Sequence, residues 1–213
     1  GATPVRAVVL RAPAATRPAR RVLCAAAEGG AGAAAATAGA VTAYAKPLAA
    51  LHWIMAAGVV GAVVTVKLQQ NTKDPAEKGY WMFWHKSCGT TLAILLPLRL
   101  VSLIAFKRPP AVPGPFIEQA AAKISHLGLY FFLVFMPVSG VVMGYYGGKG
   151  LPFWTDTYLG NDGVARDGAI AKQAFLNHKK VGFVLPYWVG IHAGAVGLHA
   201  IRGTNLLARM SPF

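Results

Sequence analysis

Three histidines in the last apolar segment of the chain are the residues best placed to do chemistry. His178 introduces this segment, and His192 follows it 14 residues later. On a helix with about 100° per residue, their side chains differ by about 40° in direction and by roughly 21 Å in height. His199 returns to within about 20° of the same face. Because histidine inside a membrane is costly, one helix face with an imidazole near each membrane surface indicates axial ligands for two stacked b-type haems.

Four apolar segments indicate the fold class, an all-α membrane protein in which a four-transmembrane-helix bundle encloses the two haems. Each segment is about as long as a helix needs to cross a bilayer, which takes about 20 residues. The segments are residues 48–66, 80–106, 124–146 and 181–200. Between them, the sequence predicts a polar loop over residues 69–78 and a long polar connection over residues 147–177. A short amphipathic helix is expected within that connection, at residues 164–176.

The composition and the charge are typical of a membrane protein. Hydrophobic residues make up 55% of the 213 residues and charged residues only 13%, which is more apolar surface than one small soluble core could bury. Lys and Arg outnumber Asp and Glu by 21 to 7, and in a soluble domain this excess would suggest nucleic-acid binding. Here the basic residues lie mostly between and outside the apolar segments, as the positive-inside rule produces. Nucleic acid is therefore not an expected partner.

The distribution of charge between the two sides predicts the orientation. If four helices cross the membrane, the side that holds both termini carries 12 basic and 2 acidic residues, and the other side carries 9 basic and 5 acidic residues. Short loops rich in Lys and Arg stay in the cytoplasm-equivalent compartment. We therefore expect both termini to face the mitochondrial matrix, the stroma or the bacterial cytoplasm, which we call the inner side.

With this orientation, the histidines sort by depth. His85 and His178 lie toward the outer side, so an outer haem would take this pair as its axial ligands. The inner side has four candidates: His52, His126, His192 and His199. Among them, His192 is deep enough in its helix to match His178 across the membrane, and His52 is the best partner from the first segment. The inner side thus offers more imidazoles than one haem uses. The chain has no Cys-x-x-Cys-His sequence, so both haems would be held non-covalently.

Other residues suggest supporting roles. Arg99 lies 14 residues after His85, near the opposite surface, where it could reach lipid headgroups or pair with a haem propionate. His199 and Arg202 are the candidate catalytic residues, which we expect to hydrogen-bond a quinone carbonyl or deliver a proton to it. A zinc site or a proton relay is a weaker interpretation, because the spacing separates the histidines by the membrane thickness and the apolar segments contain no carboxylate.

Residues 1–46 form an Arg/Ala/Pro/Gly-rich N-terminal extension that cannot build a core, and residues 47–213 form the membrane domain. The basic, acid-poor composition is typical of an organellar transit peptide. It favours the mitochondrial inner membrane, with the thylakoid and the bacterial inner membrane as alternatives. The sequence begins with Gly1 rather than Met. If the extension is retained, we expect it to dock on other subunits of a membrane supercomplex.

Several motifs are shared with a known family. They are His-Trp in the first segment, HKSCG in the second, HLGLY and PVSGVVMGYY in the third, and NHKKVGF, GIHAGAVGLHA and NLLARMSP in and after the fourth. In these motifs, residues 52–213 resemble the bacterial-type cytochrome b561 family, four-helix di-haem b proteins that include a superoxide:ubiquinone oxidoreductase. The resemblance implies that His52 and His192 ligate the inner haem iron, and that His85 and His178 ligate the outer haem iron. It also implies a quinone site near His199.

These features predict transmembrane electron transfer through two haem b groups, from an outer-side donor to a quinone on the inner side of the lipid bilayer. Superoxide is a candidate donor, because outer lysines would attract a small anion. These are Lys73, Lys78, Lys86, Lys149, Lys172, Lys179 and Lys180. Such a chain is an electron carrier or an oxidoreductase. The alternative is a haem-bearing accessory subunit of a respiratory or photosynthetic complex. A transporter is less well supported, because the segments lack carboxylates.

Overall fold

A computed structural model describes residues 43–157 and 163–213, together with Gly1. The elements in this part of the chain are α1 (Lys46–Asn71), α2 (Pro75–Ala105), α3 (Phe116–Tyr146), β1 (Pro152–Phe153), β2 (Asp156–Thr157), α4 (Gly168–Ile201) and α5 (Leu206–Arg209). Helices α1 to α4 are long and apolar enough to cross a membrane, which confirms the predicted four spans. Most of the predicted N-terminal extension, residues 1–46, lies outside the described residues.

Two aspartates determine where long helices begin. The Asp74 carboxylate accepts hydrogen bonds from the backbone N–H groups of Ala76 and Glu77, and Pro75 occupies the first helical position. Proline is favoured there because its missing N–H would have no helical partner. The Asp167 carboxylate accepts hydrogen bonds from the backbone N–H groups of Ala169 and Ile170. Both α2 and α4 therefore begin at a capped turn.

These starts correct three predicted boundaries. The polar loop predicted over residues 69–78 is wrong, because Asp74 starts α2 early and only residues 72–74 separate the two helices. The third helix begins at Phe116, directly after Pro115, and not near Ile124. The separate amphipathic helix predicted at residues 164–176 does not exist, because the Asp167 cap starts α4 and this helix then continues without a break to its end.

The four long helices pack as two antiparallel pairs. Helix α1 lies along α2, and α3 lies along α4, while α2 and α3 share a smaller contact. Between α1 and α2, Leu51, Met55 and Leu92 form a buried cluster, against which Leu133 of α3 packs. Gly58 allows the close approach, because a Cβ atom at this position would lie 3.1 Å from the Leu92 side chain. The pairs are therefore joined through α2 and α3.

A seam separates α4 from α1 and α2. In the described part of the chain, α4 has no packing against α1 or α2 comparable to its contact with α3. Only 6% of an 18-residue apolar stretch of α4 is buried inside the bundle, against 17% of such a stretch in α1 and 22% in α2 and α3. We call the space between α4 and the α1–α2 pair the open seam.

The β1–β2 hairpin packs on α2 and fixes the connection between α3 and α4. Trp154, at its turn, has a φ of 66°, a conformation that is uncommon outside glycine. Its backbone N–H donates to the Ser87 hydroxyl over 3.3 Å, and its indole N–H donates to the Thr91 hydroxyl over 2.9 Å. These bonds hold the hairpin beside the stretch of α2 that carries His85.

Candidate functional site

His85 and His178 face each other across the open seam, and we call them the outer histidine pair. The centres of their rings are 6.2 Å apart, and the ring planes are nearly perpendicular, at 87°. His85 extends from α2 and His178 from α4, two helices whose packing together is not comparable to that of α3 with α4. The pairing of these two residues expected from their depth is thus present in the structure.

Each imidazole of the outer pair is oriented by a different neighbouring helix. The Nδ1 atom of His85 lies 2.8 Å from the Ala62 carbonyl oxygen of α1, so it carries the proton and donates it. The Nδ1 atom of His178 lies 2.8 Å from the hydroxyl of Ser139 on α3. Ser139 donates its single proton to the Phe135 carbonyl oxygen over 2.7 Å, so it accepts from His178. Both outer imidazoles therefore keep a free Nε2 lone pair, the form that binds a metal.

Three further imidazoles, His52, His126 and His192, gather at the other end of the bundle, and we call them the inner histidine cluster. His192 lies between the other two: its ring centre is 6.4 Å from that of His52 and 5.4 Å from that of His126. The Nδ1 atom of His126 donates to the Ala122 carbonyl oxygen of its own helix over 2.8 Å. In the described residues, neither His52 nor His192 donates a comparable bond.

Both ends of the seam fit a haem held by two histidines. A bond between a metal and an imidazole nitrogen is about 2 Å long, so two imidazoles that share one iron through Nε2 have ring centres roughly 6 Å apart. The outer pair, at 6.2 Å, and the pair of His52 and His192, at 6.4 Å, meet this requirement. In each case the two rings come from opposite sides of the open seam. The ring separations at both ends are therefore compatible with one iron shared between two histidines.

Arg99 lies inside the bundle near the inner histidine cluster. Its guanidinium donates to the Leu48 carbonyl oxygen of α1 over 3.3 Å and to the Tyr130 hydroxyl of α3 over 3.5 Å. The side chain is half-buried, so it is directed toward the neighbouring helices rather than straight to the headgroups. No carboxylate of the described residues pairs with it. Such a cation suits a negatively charged group of a bound cofactor.

The two candidate catalytic residues have different surroundings. His199 is half-buried in the last turn of α4, and its carbonyl oxygen accepts a hydrogen bond from the Thr204 backbone. Arg202 follows the helix and forms an ion pair with Glu118 of α3, with 2.6 Å between the charged atoms. A quinone that binds Arg202, as predicted, would therefore have to replace the Glu118 carboxylate. The ring of His199 has no hydrogen bond in the described part of the chain.

Four apolar spanning helices with histidine pairs across an open seam are the arrangement expected of one class of protein, the multi-pass b-type cytochromes. A family model described as prokaryotic cytochrome b561 matches residues 43–213, which is most of the chain. The chain therefore belongs to the prokaryotic cytochrome b561 family. As a member of this family, it is an integral membrane protein that binds b-type haem and takes part in electron transport.

Two bacterial proteins are similar to the chain over most of its length. The probable superoxide oxidase CybB of Yersinia pestis is 25% identical over 167 residues, which are 76% of this chain and 92% of that protein. Cytochrome b561 homolog 1 of Escherichia coli is 25% identical over 177 residues, which are 79% of this chain and 97% of that protein. The similarity thus covers nearly the whole length of both relatives.

The sequence did not reveal the groups that orient the histidines. Ser139 was visible only as part of the PVSG motif, and a serine inside an apolar helix could have been recognised as a partner for an imidazole. The Ala62 carbonyl gives no side-chain signal at all. The short distance between His126 and His192 depends on how α3 and α4 are aligned, and a single sequence does not show this alignment.

Proposed function

We propose that this protein transfers electrons across the membrane through two b-type haems, from a donor on the outer side to a quinone on the inner side. The observation that carries the proposal is the pairing of imidazoles across the open seam at both ends of the same four helices. His178 and His192 extend from one helix and are 14 residues apart in sequence, a rise of roughly 21 Å. Two haems held by these residues would thus lie at different depths in the bilayer.

The histidines would hold the two haems in this proposal. His85 and His178 would ligate the outer iron, and His52 and His192 would ligate the inner iron. When bound, haem b supplies a one-electron couple whose potential depends on the axial ligands and on the hydrogen bonds around them. The hydrogen bonds from His85 to Ala62 and from His178 to Ser139 keep the outer imidazoles in the ligating form.

Superoxide is the donor that we propose. One relative carries the name probable superoxide oxidase, which motivates this choice. In this chain, Lys86 follows His85 directly, and Lys179 and Lys180 follow His178, so cations flank both outer ligands. The Lys86 ammonium donates to the Lys149 carbonyl oxygen over 3.4 Å, which brings a further lysine to this end. A cluster of positive charge raises the rate at which a small anion arrives.

We place the quinone on the inner side, at the end of α4. Two superoxide ions would release two electrons, and a quinone that takes up these electrons with two protons becomes a quinol. His199 would donate a hydrogen bond or a proton to a quinone carbonyl, and Arg202 would assist after it leaves Glu118. Arg99 would pair with a haem propionate, which is consistent with its lack of a carboxylate partner among the described residues.

The location and the partners follow from the same reasoning. We place both termini on the inner side, in the mitochondrial inner membrane in preference to the thylakoid or a bacterial membrane. Residues 1–46 would contact neighbouring subunits if they are retained. The alternative role, a haem-bearing accessory subunit, shares the same histidine pairs and differs in having no activity when purified alone.

Haem analysis of the purified full-length chain tests the proposal. We expect two b-type haems per chain in the pyridine haemochrome assay, both reducible by dithionite. Rapid mixing with superoxide should reduce the haems, and added quinone should reoxidise them. One haem or none would contradict the proposal. Two haems that superoxide and quinone leave unchanged would support the accessory role.

His199→Leu tests the quinone site. If the proposal is correct, this variant keeps both haems and their reduction by superoxide but loses at least tenfold in the rate of reoxidation by quinone, as expected when a catalytic proton donor is removed. Lys107→Gln is the matched control, because this change also lies at the inner end but outside the site. An unaltered rate in His199→Leu would show that the quinone binds elsewhere.

A further inference from the structure

The two proposed haem sites differ in how their ligands are held. Each outer imidazole donates its Nδ1 proton to a neighbouring helix, to the Ala62 carbonyl or to the Ser139 hydroxyl. Neither His52 nor His192 has such an acceptor among the backbone carbonyls and hydroxyls of the described residues. Metal-ligating histidines almost always donate their second ring nitrogen to an acceptor, which fixes the tautomer and raises the basicity of the ligand. The inner site therefore needs another acceptor.

His126 is the group next to His192 that can accept. The ring centres are 5.4 Å apart and the planes meet at 76°. An N–H···N bond of ordinary length between two imidazoles places their centres roughly 5 Å apart, so only a small rotation is needed. The Nδ1 proton of His126 is already donated to the Ala122 carbonyl oxygen. Its Nε2 atom is thus a lone-pair acceptor that can face the neighbouring ring.

The packing of α3 against α4 keeps these two rings together. Trp188 lies one helical turn before His192, and its indole N–H donates to the Ser125 carbonyl oxygen over 2.9 Å. Gly128 makes room for this indole, because a Cβ atom on Gly128 would overlap it. Since Ser125 precedes His126 directly, the same contact that aligns the helices also fixes the distance between the two histidines.

We propose that His126 is a positioning residue for the inner haem, where its Nε2 atom accepts a hydrogen bond from the Nδ1–H group of His192. The inference rests on the proposed role of His52 and His192 as ligands of that haem. The bond turns the His192 ring so that its Nε2 atom points into the open seam, and it makes this nitrogen a stronger electron donor to iron. A stronger donor stabilises ferric iron and lowers the midpoint potential of the inner haem.

Substitution of His126 separates this role from simple packing. His126→Leu removes the acceptor and retains apolar bulk, whereas His126→Gln offers a side-chain carbonyl oxygen that can accept the same bond. Ser125→Ala is the matched control, because it changes the adjacent residue, its hydroxyl has no hydrogen-bond partner in the described structure, and its carbonyl group remains available to Trp188. The outer haem of the same molecule is the internal reference.

The measurements are a potentiometric titration and the EPR spectrum of the ferric protein in detergent. In His126→Leu, we expect the ferrous-to-ferric ratio of the inner haem at a fixed potential to rise about tenfold, a shift of about 59 mV for a one-electron couple. The low-spin EPR signal of this haem should also move. His126→Gln should restore most of both changes, and Ser125→Ala should cause neither. If His126→Leu loses the inner haem, retention of the haem by His126→Gln at a near-normal potential supports the same conclusion.

Three outcomes would overturn the inference. The first is an inner potential and EPR signal that stay the same in His126→Leu. The second is an equal shift in the leucine and glutamine variants, which would indicate packing alone. The third is loss of the inner haem from both variants, which would make His126 an axial ligand. The ligand assignment is tested separately: a His52→Ala variant that keeps a normal inner haem would disprove the proposed function at this site, whatever the His126 variants show.

Discussion

The outer histidine pair and the inner histidine cluster differ in the groups that hold their imidazole rings in place. In the outer pair, the Ala62 carbonyl and the Ser139 hydroxyl hold the two rings. The inner cluster has three imidazoles and the nearby Arg99, and its two proposed ligands have no backbone or hydroxyl acceptor in the described residues. Similar separations of the ring centres, 6.2 Å and 6.4 Å, can thus be maintained by very different neighbouring groups.

This difference bears on how each site responds to change. His85 donates to a backbone carbonyl, so it cannot lose its acceptor through substitution of one side chain, and in the outer pair only His178 can, through Ser139. In the inner cluster, neither proposed ligand has a backbone acceptor among the described residues. We therefore expect the inner site to be the more sensitive of the two to substitutions in the residues around it.

Removal of one ligand from each site should have the largest effect. His178→Ala should lose the outer haem and His192→Ala the inner haem, so each variant retains about half of the normal haem content, because an iron with one axial histidine and no covalent tether is held weakly. Haemochrome assays and EPR spectra would identify the haem that remains. Asn177→Ala, beside His178, should keep both haems. Full haem content in either histidine variant would remove that residue from the ligand set.

The contact between α3 and α4 should be less tolerant beside the inner cluster than beside the outer pair. A Cβ atom at Gly128 would overlap the Trp188 indole, whereas one at Gly140 would lie 3.6 Å from the His178 ring, an ordinary contact. Gly128→Ala should therefore destabilise the protein by about 1–3 kcal/mol, the usual result of overpacking. Gly140→Ala should change the melting temperature little. Thermal unfolding in detergent would measure both, and equal melting temperatures would contradict the predicted difference.

Removal of the outer hydroxyl should have a smaller effect. In Ser139→Ala, the His178 ring loses its acceptor, so the midpoint potential of the outer haem should rise. The change should stay below about tenfold in the ferrous-to-ferric ratio, or about 59 mV. The Met136 carbonyl also lies within hydrogen-bond reach of the ring and can replace part of the lost bond. A redox titration with the inner haem as reference measures the shift, and a fall in the outer potential would contradict the mechanism.

The ion pair at the inner surface should contribute least. The side chains of Arg202 and Glu118 are 52% and 36% exposed, and exposed pairs stabilise proteins by about 0–1 kcal/mol. Glu118→Gln should therefore leave the melting temperature nearly unchanged. This variant also releases Arg202, so reoxidation by quinone should proceed at the normal rate or faster. Slower reoxidation would show that the quinone site needs the intact ion pair.

The spans could be predicted from the sequence, and so could the C-terminal ends of α2, α3 and α4 to within one residue, but the starts of these three helices could not. Twenty apolar residues cross a bilayer in any context, so hydropathy alone identifies four helices. The start of a helix depends on local hydrogen bonds, such as those that the Asp74 and Asp167 side chains accept at the N-termini of α2 and α4. These bonds extend the two helices into polar stretches that are typical of loops. The polar residues after Asp167 gave the false impression of a separate short helix.

The candidate site, too, could be predicted only in part from the sequence. The depth of each histidine follows from the rise of a helix, so the sequence could group His85 with His178 before their distance was known. The ligand roles of these residues remain predictions. The acceptors for their rings come from helices distant in sequence, and the approach of His126 to His192 depends on the Trp188 contact. Such contacts follow from tertiary packing, which no local pattern encodes.

The open seam has a consequence for the biogenesis of the protein. Because α1 with α2 and α3 with α4 form two helical hairpins that touch mainly through α2 and α3, each hairpin can enter the membrane as a separate unit. Haems bound at the proposed positions would then complete the assembly by joining α4 to the other hairpin. Haem supply should therefore determine how much protein survives quality control. In cells starved of haem, we expect the chain to be inserted but rapidly degraded, and a pulse-chase experiment with and without a haem precursor would measure its lifetime.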